Sequence, residues 1–190
     1  MGNSKFKLTM KKWDLASADD RRKPTIEASI KKNGGLPNMY ANMINSPGLL
    51  ETYLYGYEVF RKESGFTPIE QEVVFLTISY ENGCEYCMAA HSVIADKMSK
   101  VPEAVTNAIR DGNEIGDPKL KALSLFAKEM LLSRGRPSCE ATKQFLDVGY
   151  DEGKILEIVL AIAVKTLSNY SNHLFETEVD PMFKGRSWKK

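Results

Sequence analysis

Cys84 and Cys87 stand three residues apart, and His91 follows four residues after the second of them. A C-x-x-C pair on a helix can close a disulfide across one turn with little backbone change. Residues three and four apart share a helix face, so the imidazole sits one turn beyond Cys87. There it can take the thiol proton directly or through one water. The chain has only 3 cysteines and 2 histidines, the others being Cys139 and His173. Three cysteines make a poor disulfide framework; in a reducing compartment this spacing points to redox or metal chemistry. Glu72, near the start of the preceding helix, adds a carboxylate. If the two helices run antiparallel, it approaches His91 and completes a set of thiol, base and orienting group.

Two helices joined by a tight turn must hold these groups. Thr67-Pro68-Ile69-Glu70 reads as a capping box with proline at the first helical position. A helix is expected from Pro68 to about Glu81, broken by Asn82-Gly83, and a second from Cys84 to about Lys97. Cys84 then falls in the first helical turn, where free N–H groups and the positive dipole end favour a thiolate. By that argument Cys84 is the more acidic thiol; by the phase of His91 it is Cys87.

The remaining sequence reads as further helices. They are expected at about 38–45, from Pro47 to Glu63, from Pro102 to Asp111, from Pro118 to about Arg134, over 138–147, and from Glu152 to about Phe175. Their starts carry Ser-Pro or Asp-Pro pairs or a capping Asp, and their ends carry glycine. No alternating strand pattern bounded by hairpin turns is present, so the expected class is all-α, with seven or eight helices in one domain. Residues 1–25 read as a polar arm, 26–183 as the helical domain and 184–190 as a basic tail, with Pro181 in irregular chain.

Each candidate also has a plainer reading. C-x-x-C can be half of a zinc site, but the only other soft ligands are His91, Cys139 and His173. A glutamate in the first turn of a helix is often just a solvated acid favoured by the dipole. Cys139 reads as a spectator thiol. Asn169, Tyr170 and His173 fit helix-interface hydrogen bonds or a supporting role around the site.

The Glu72 to His91 segment, a glutamate followed after eleven residues by C-x-x-C-x-x-x-H, resembles the motif of the alkylhydroperoxidase D-like branch of the carboxymuconolactone decarboxylase family, and in particular its peroxidase-related group. Leu36-Pro37-Asn38, Asn45-Ser46-Pro47, Asn169 to His173 and Asp180-Pro181 extend the resemblance from about Leu36 to Phe183. It implies an all-α fold. It also implies that Cys87 is the peroxidatic and Cys84 the resolving cysteine, with Glu72 and His91 as proton relay. One position departs: well-known members carry a histidine just before the second cysteine, where this chain has Tyr86, a far weaker base at neutral pH.

The function implied is a thiol-dependent peroxidase acting on alkyl hydroperoxides or hydrogen peroxide and recycled by an external dithiol or thiol protein. A disulfide reductase or redox sensor with little peroxidase turnover is the alternative. Decarboxylase or lactone chemistry is disfavoured by the intact cysteine pair. No cofactor and no metal are required, and Met88 and Phe75 near the motif favour organic peroxides. A formal net charge of +1 gives no general attraction for nucleic acid or anionic membrane. The longest apolar run, around Val159 to Val164, is too short to span a bilayer. Met1 to Trp13 is basic without an apolar signal core, so a cytoplasmic protein is expected. Apolar stripes at Leu49 to Phe60 and Leu156 to Leu167, with a sparsely apolar segment from Trp13 to Lys32, point to a homo-oligomer, and the family resemblance implies a trimer or hexamer.

Overall fold

The computed structural model describes residues 6–190, so the first five residues of the arm lie outside the described residues. The chain is all-α: among the described residues nine α-helices are present and no strand. They are α1 (Lys23–Asn33), α2 (Asn38–Met43), α3 (Pro47–Glu63), α4 (Pro68–Glu81), α5 (Glu85–Ile94), α6 (Glu103–Asp111), α7 (Pro118–Leu132), α8 (Cys139–Asp147) and α9 (Glu152–Phe175). A π-helical turn, Ala95–Ser99, prolongs α5, and a short 3₁₀ helix, Pro181–Arg186, follows α9. All eight helices expected from the sequence form. The ninth, α1, was not legible because its apolar side chains are few and it buries only Ile26 and Ser29.

The core is built around α4, which packs against α5, α6, α7 and α9. Its residues from Glu70 to Ser79 are all buried, which is why its sequence is apolar nearly all round. The capping box forms as expected. Thr67 Oγ1 accepts from the Glu70 N–H at 3.3 Å, and Glu70 Oε2 accepts from the Thr67 N–H at 2.8 Å. Tyr150 from the loop before α9 donates to the other Glu70 oxygen at 2.9 Å. α3 lies along α9, and the stripes on these two helices meet mainly inside the chain: Leu50, Tyr53, Phe60, Ile158, Ala161 and Val164 are buried. Tyr55, Leu156 and Val159 remain exposed.

The segments flanking the domain lie on the same chain. Trp13 donates from its backbone to Ala41 at 3.1 Å and from its indole to Asn45 at 2.9 Å, laying the arm across α2. The stretch from Pro181, read from sequence as irregular, forms the 3₁₀ helix against α5. Arg110 holds its end by donating to the carbonyls of Arg186 and Ser187, both at 3.0 Å. Trp188 returns the contact by donating to the Arg110 carbonyl at 2.7 Å.

Candidate active site

The turn between α4 and α5 sets the site. Gly83 has φ +67°, a left-handed conformation that favours glycine. The Gly83 N–H bonds to the Tyr80 carbonyl at 3.0 Å and the Cys84 N–H to the Ser79 carbonyl at 2.9 Å, closing α4 with a Schellman motif. Cys84 is at the same time the N-cap of α5. The two cysteines therefore occupy the N-cap and the first turn of α5, and both are buried free thiols. Cys87 is only 2% exposed.

His91 follows one turn along α5, and Glu72 reaches it from α4. His91 Nδ1 lies 2.9 Å from Glu72 Oε2. A carboxylate only accepts, so Nδ1 carries the hydrogen and Nε2 is left as the basic nitrogen. Arg61 of α3 binds the other Glu72 oxygen and also donates to Tyr57 Oη at 2.8 Å. Burial pushes the Glu72 carboxyl up, but His91 and Arg61 more than offset this and hold it below the usual range. Burial and the nearby Lys165 ammonium lower His91, outweighing Glu72. The Glu72–His91 contact, close enough to count as a salt bridge, is therefore a hydrogen bond from neutral imidazole to carboxylate.

The thiols are driven apart. Burial pushes Cys84 up, as does its contact with Cys87. Burial pushes Cys87 up too, but the Cys84 hydrogen bond, Lys165 and Ser168 outweigh it and bring Cys87 well below the ordinary thiol. Asn172 Nδ2 donates to Cys87 Sγ at 3.4 Å and lies 3.8 Å from Cys84 Sγ. Ser168 Oγ lies 3.9 Å from Cys87 Sγ. These contacts favour the thiolate on Cys87, the thiol that the phase of His91 picks out, while the N-cap position of Cys84 favours the other.

Of the three α9 residues read from sequence as helix-interface or supporting groups, Asn169, Tyr170 and His173, only Asn169 is buried beside the site. Its Oδ1 accepts from Asn82 at 2.9 Å, tying α9 to the α4–α5 turn. Tyr86 directs its hydroxyl to Asp180 Oδ2 at 2.6 Å, away from acid–base work on the thiols; burial and that carboxylate push its phenol well above the ordinary range. Asp180 also accepts from the Asn38 N–H at 3.1 Å, so Tyr86 helps fasten α2 and the 3₁₀ helix over the cysteines. His173 is exposed and stacks on exposed Tyr170, so it does not join the site. Cys139 is exposed at the start of α8. Among the described residues no group of three or more His, Cys, Asp or Glu is arranged to hold a metal ion.

Sequence reasoning missed Arg61, Lys165, Ser168 and Asn172. A signal existed for the last three. α9 is largely apolar from Ile155 to Leu167, yet Lys165 interrupts it, and polar residues recur at 165, 168–169 and 172, the spacing of one helix face.

Solved structures of the same fold are found among alkylhydroperoxidase-type proteins. The alkylhydroperoxidase AhpD core of an uncharacterized peroxidase-related protein from Ralstonia eutropha JMP134 is 21% identical, with a TM-score of 0.80, covering 95% of this chain and 97% of that one. An uncharacterized peroxidase-related protein from Silicibacter sp. TM1040 is 19% identical, with a TM-score of 0.75, covering 97% and 99%. A cysteine-to-alanine variant of the debrominase Bmp8, in complex with 2,3,4-tribromopyrrole, is 18% identical, with a TM-score of 0.72, covering 94% and 95%. No curated protein matches the sequence. Residues 47–129, from α3 into α7, match the carboxymuconolactone decarboxylase family. Residues 47–129 are thus similar to the carboxymuconolactone decarboxylase family, and the chain has the fold of the alkylhydroperoxidase AhpD core, as its motif led us to expect.

The site makes stability depend on acid. Both Glu72 and His91 have lowered folded-state values. A lowered group binds protons more readily in the unfolded chain, so its contribution is present above its unfolded value and is lost as pH falls. For His91 the loss begins below about pH 6.5, and for Glu72 below about pH 4.5. The melting temperature of the reduced protein is expected to fall steadily from pH 7.5 to pH 4 in scanning calorimetry. A flat profile over that range would contradict the assignment of a neutral imidazole on a buried carboxylate.

Proposed function

We propose that this protein is a thiol-dependent peroxidase that reduces alkyl hydroperoxides or hydrogen peroxide. The observation that carries the reading is the position of Cys87: in the first turn of α5, under the Asn172 amide, one turn from an imidazole oriented by Glu72. Cys87 thiolate attacks the outer peroxide oxygen; an S–O bond forms and the O–O bond breaks. The leaving alkoxide or hydroxide takes up one proton and departs as alcohol or water. The Cys84 thiol then condenses with the Cys87 sulfenic acid, forming the disulfide and releasing water. An external dithiol returns two electrons by exchange through a mixed disulfide. Because Cys84 is fully buried, that exchange requires the side chains that cover it to give way.

Consumption of cumene hydroperoxide with dithiothreitol as reductant tests the reading. Peroxide loss proportional to protein concentration is expected; a rate equal to that of dithiothreitol alone sinks it. Absence of peroxide turnover with rapid reduction of a protein disulfide would instead support the disulfide reductase or redox-sensor alternative. The similarity to a debrominase makes 2,3,4-tribromopyrrole the comparison substrate.

The proposal extends to setting and assembly. The dithiol cycle suits a reducing, cytoplasmic compartment, and no helix of the described residues is long and apolar enough to cross a membrane. Exposed Tyr55, Leu156 and Val159 on α3 and α9 suit a homo-oligomer, a trimer or hexamer. Light scattering at micromolar concentration should give a multiple of the 21.3 kDa chain mass; the mass of a single chain would end that part of the proposal.

A further inference from the structure

Lys165, Ser168, Asn169 and Asn172 form one buried polar face of α9. Ser168 and Asn172 approach the Cys87 sulfur at 3.9 and 3.4 Å, so this face is the wall of the thiol site supplied by α9. Lys165 lies on the same wall, one turn before them. It is fully buried and its Nζ makes no hydrogen bond. The nitrogen sits 5.4 Å from the Phe75 ring centroid, and His91 packs on that ring at 5.0 Å. A fully buried lysine nitrogen with no hydrogen-bond partner would gain from a nearby anion.

The neighbouring groups leave one candidate. Glu72, from α4, is already bound by Arg61 and His91. Burial pushes up the phenols of Tyr40 on α2, Tyr53 and Tyr57 on α3 and Tyr86 on α5, so all four stay neutral. Burial likewise keeps Cys84 a thiol, and His91 is neutral. With Cys87 as a thiol, Arg61 and Lys165 face a single negative charge, on Glu72. An ionised Cys87 restores the balance.

We propose that Lys165 is the charge partner of Cys87, and that this ammonium, more than His91, keeps the Cys87 sulfur ionised at neutral pH. The idea deepens the peroxidase reading and rests on it for its purpose, since a peroxide needs a thiolate. Lys165 acts through the sulfur and is a positioning residue. A consequence is a division of labour: Lys165 holds the charge on the nucleophile, while neutral His91 keeps Nε2 free to move protons.

The test is the pH profile of Cys87 alkylation by iodoacetamide, read by mass spectrometry on reduced protein without peroxide. Wild type should be alkylated with a midpoint well below the ordinary thiol value of about 8.5. Lys165→Met should lose about tenfold or more of its rate at pH 6 and match wild type at pH 10. Lys165→Arg, which keeps the charge, should retain most of the pH 6 rate. A wild-type midpoint at or above 8.5, or a folded Lys165→Met with an unchanged profile, overturns the proposal. If Lys165→Met does not fold, the double variant with Cys87→Ala decides. Folding restored by removing both partners supports the pair; a double variant that is still unfolded overturns it. A low midpoint without peroxide turnover would sink the peroxidase reading and leave the Lys165 assignment standing. Turnover with an unchanged Lys165→Met profile would do the reverse.

Discussion

Cys87→Ser is expected to abolish peroxide consumption, with a loss of about 10⁴-fold or more, the scale seen when a nucleophile that works as part of a unit is removed. A serine hydroxyl is not ionised at neutral pH, so Asn172, Ser168 and Lys165 would surround a group that offers no lone-pair anion for the O–O bond. Cys84 does not substitute for it. Burial and its contact with Cys87 push its thiol up, and Asn172 lies farther from its sulfur, 3.8 Å against 3.4 Å. Cys87→Ser should therefore also show no peroxide-dependent oxidation at Cys84. The substitution changes little volume but removes the anion that faces buried Lys165, so the melting temperature should fall below that of wild type while the protein still folds. Residual turnover within tenfold of wild type would mean that Cys84 is the attacking thiol and that its N-cap position outweighs its burial.

His91→Ala should slow oxidation of Cys87 by about 10²–10⁴-fold, the usual contribution of a positioned acid–base group. Glu72→Gln should give a loss in the same range, because an amide no longer fixes the tautomer that leaves Nε2 basic. The two variants separate in stability. Removing the Glu72 charge leaves Arg61 facing an amide. Arg61 keeps 18% of its side chain exposed, so the cost should stay below the roughly 3–5 kcal/mol of a fully buried broken pair. His91→Ala removes a ring packed on Phe75 but strands no charge. Single-turnover oxidation, followed alongside thermal unfolding, separates the effects: slow oxidation in a folded protein marks chemistry. If both variants oxidise at the wild-type rate, Glu72 and His91 are structural residues.

The helices were legible where local rules agreed. The capping box at Thr67 and Glu70, the Asp-Pro pair at Asp117 and the cap at Asp151 each start a helix where the sequence places it. The pairing of Glu72 with His91 was legible as well, since the Asn82-Gly83 turn folds α5 back on α4. Two features lay beyond such reasoning. α1 has too little apolar periodicity to announce itself and forms against residues distant in sequence, as when Arg22, just before it, donates to the Ile44 carbonyl at 3.1 Å. The wall from α9 meets the cysteines more than eighty residues away. Its polar face looked like interface hydrogen bonding, so His173 was singled out where Asn172 makes the contact. The helix-dipole argument for Cys84 has a related gap: it weighs one helix end and omits what the opposite helix supplies.

The central claim, that Cys87 attacks and Cys84 resolves, is tested most directly by trapping the oxidised sulfur. Cys84→Ser protein is mixed with one equivalent of cumene hydroperoxide in the presence of dimedone, and the modified peptides are identified by mass spectrometry. The account predicts a dimedone adduct on Cys87, formed within the time of one turnover, because the thiol that would condense with the sulfenic acid is absent. No adduct on Cys87, together with a peroxide-dependent adduct on Cys84 in the Cys87→Ser protein, would contradict it.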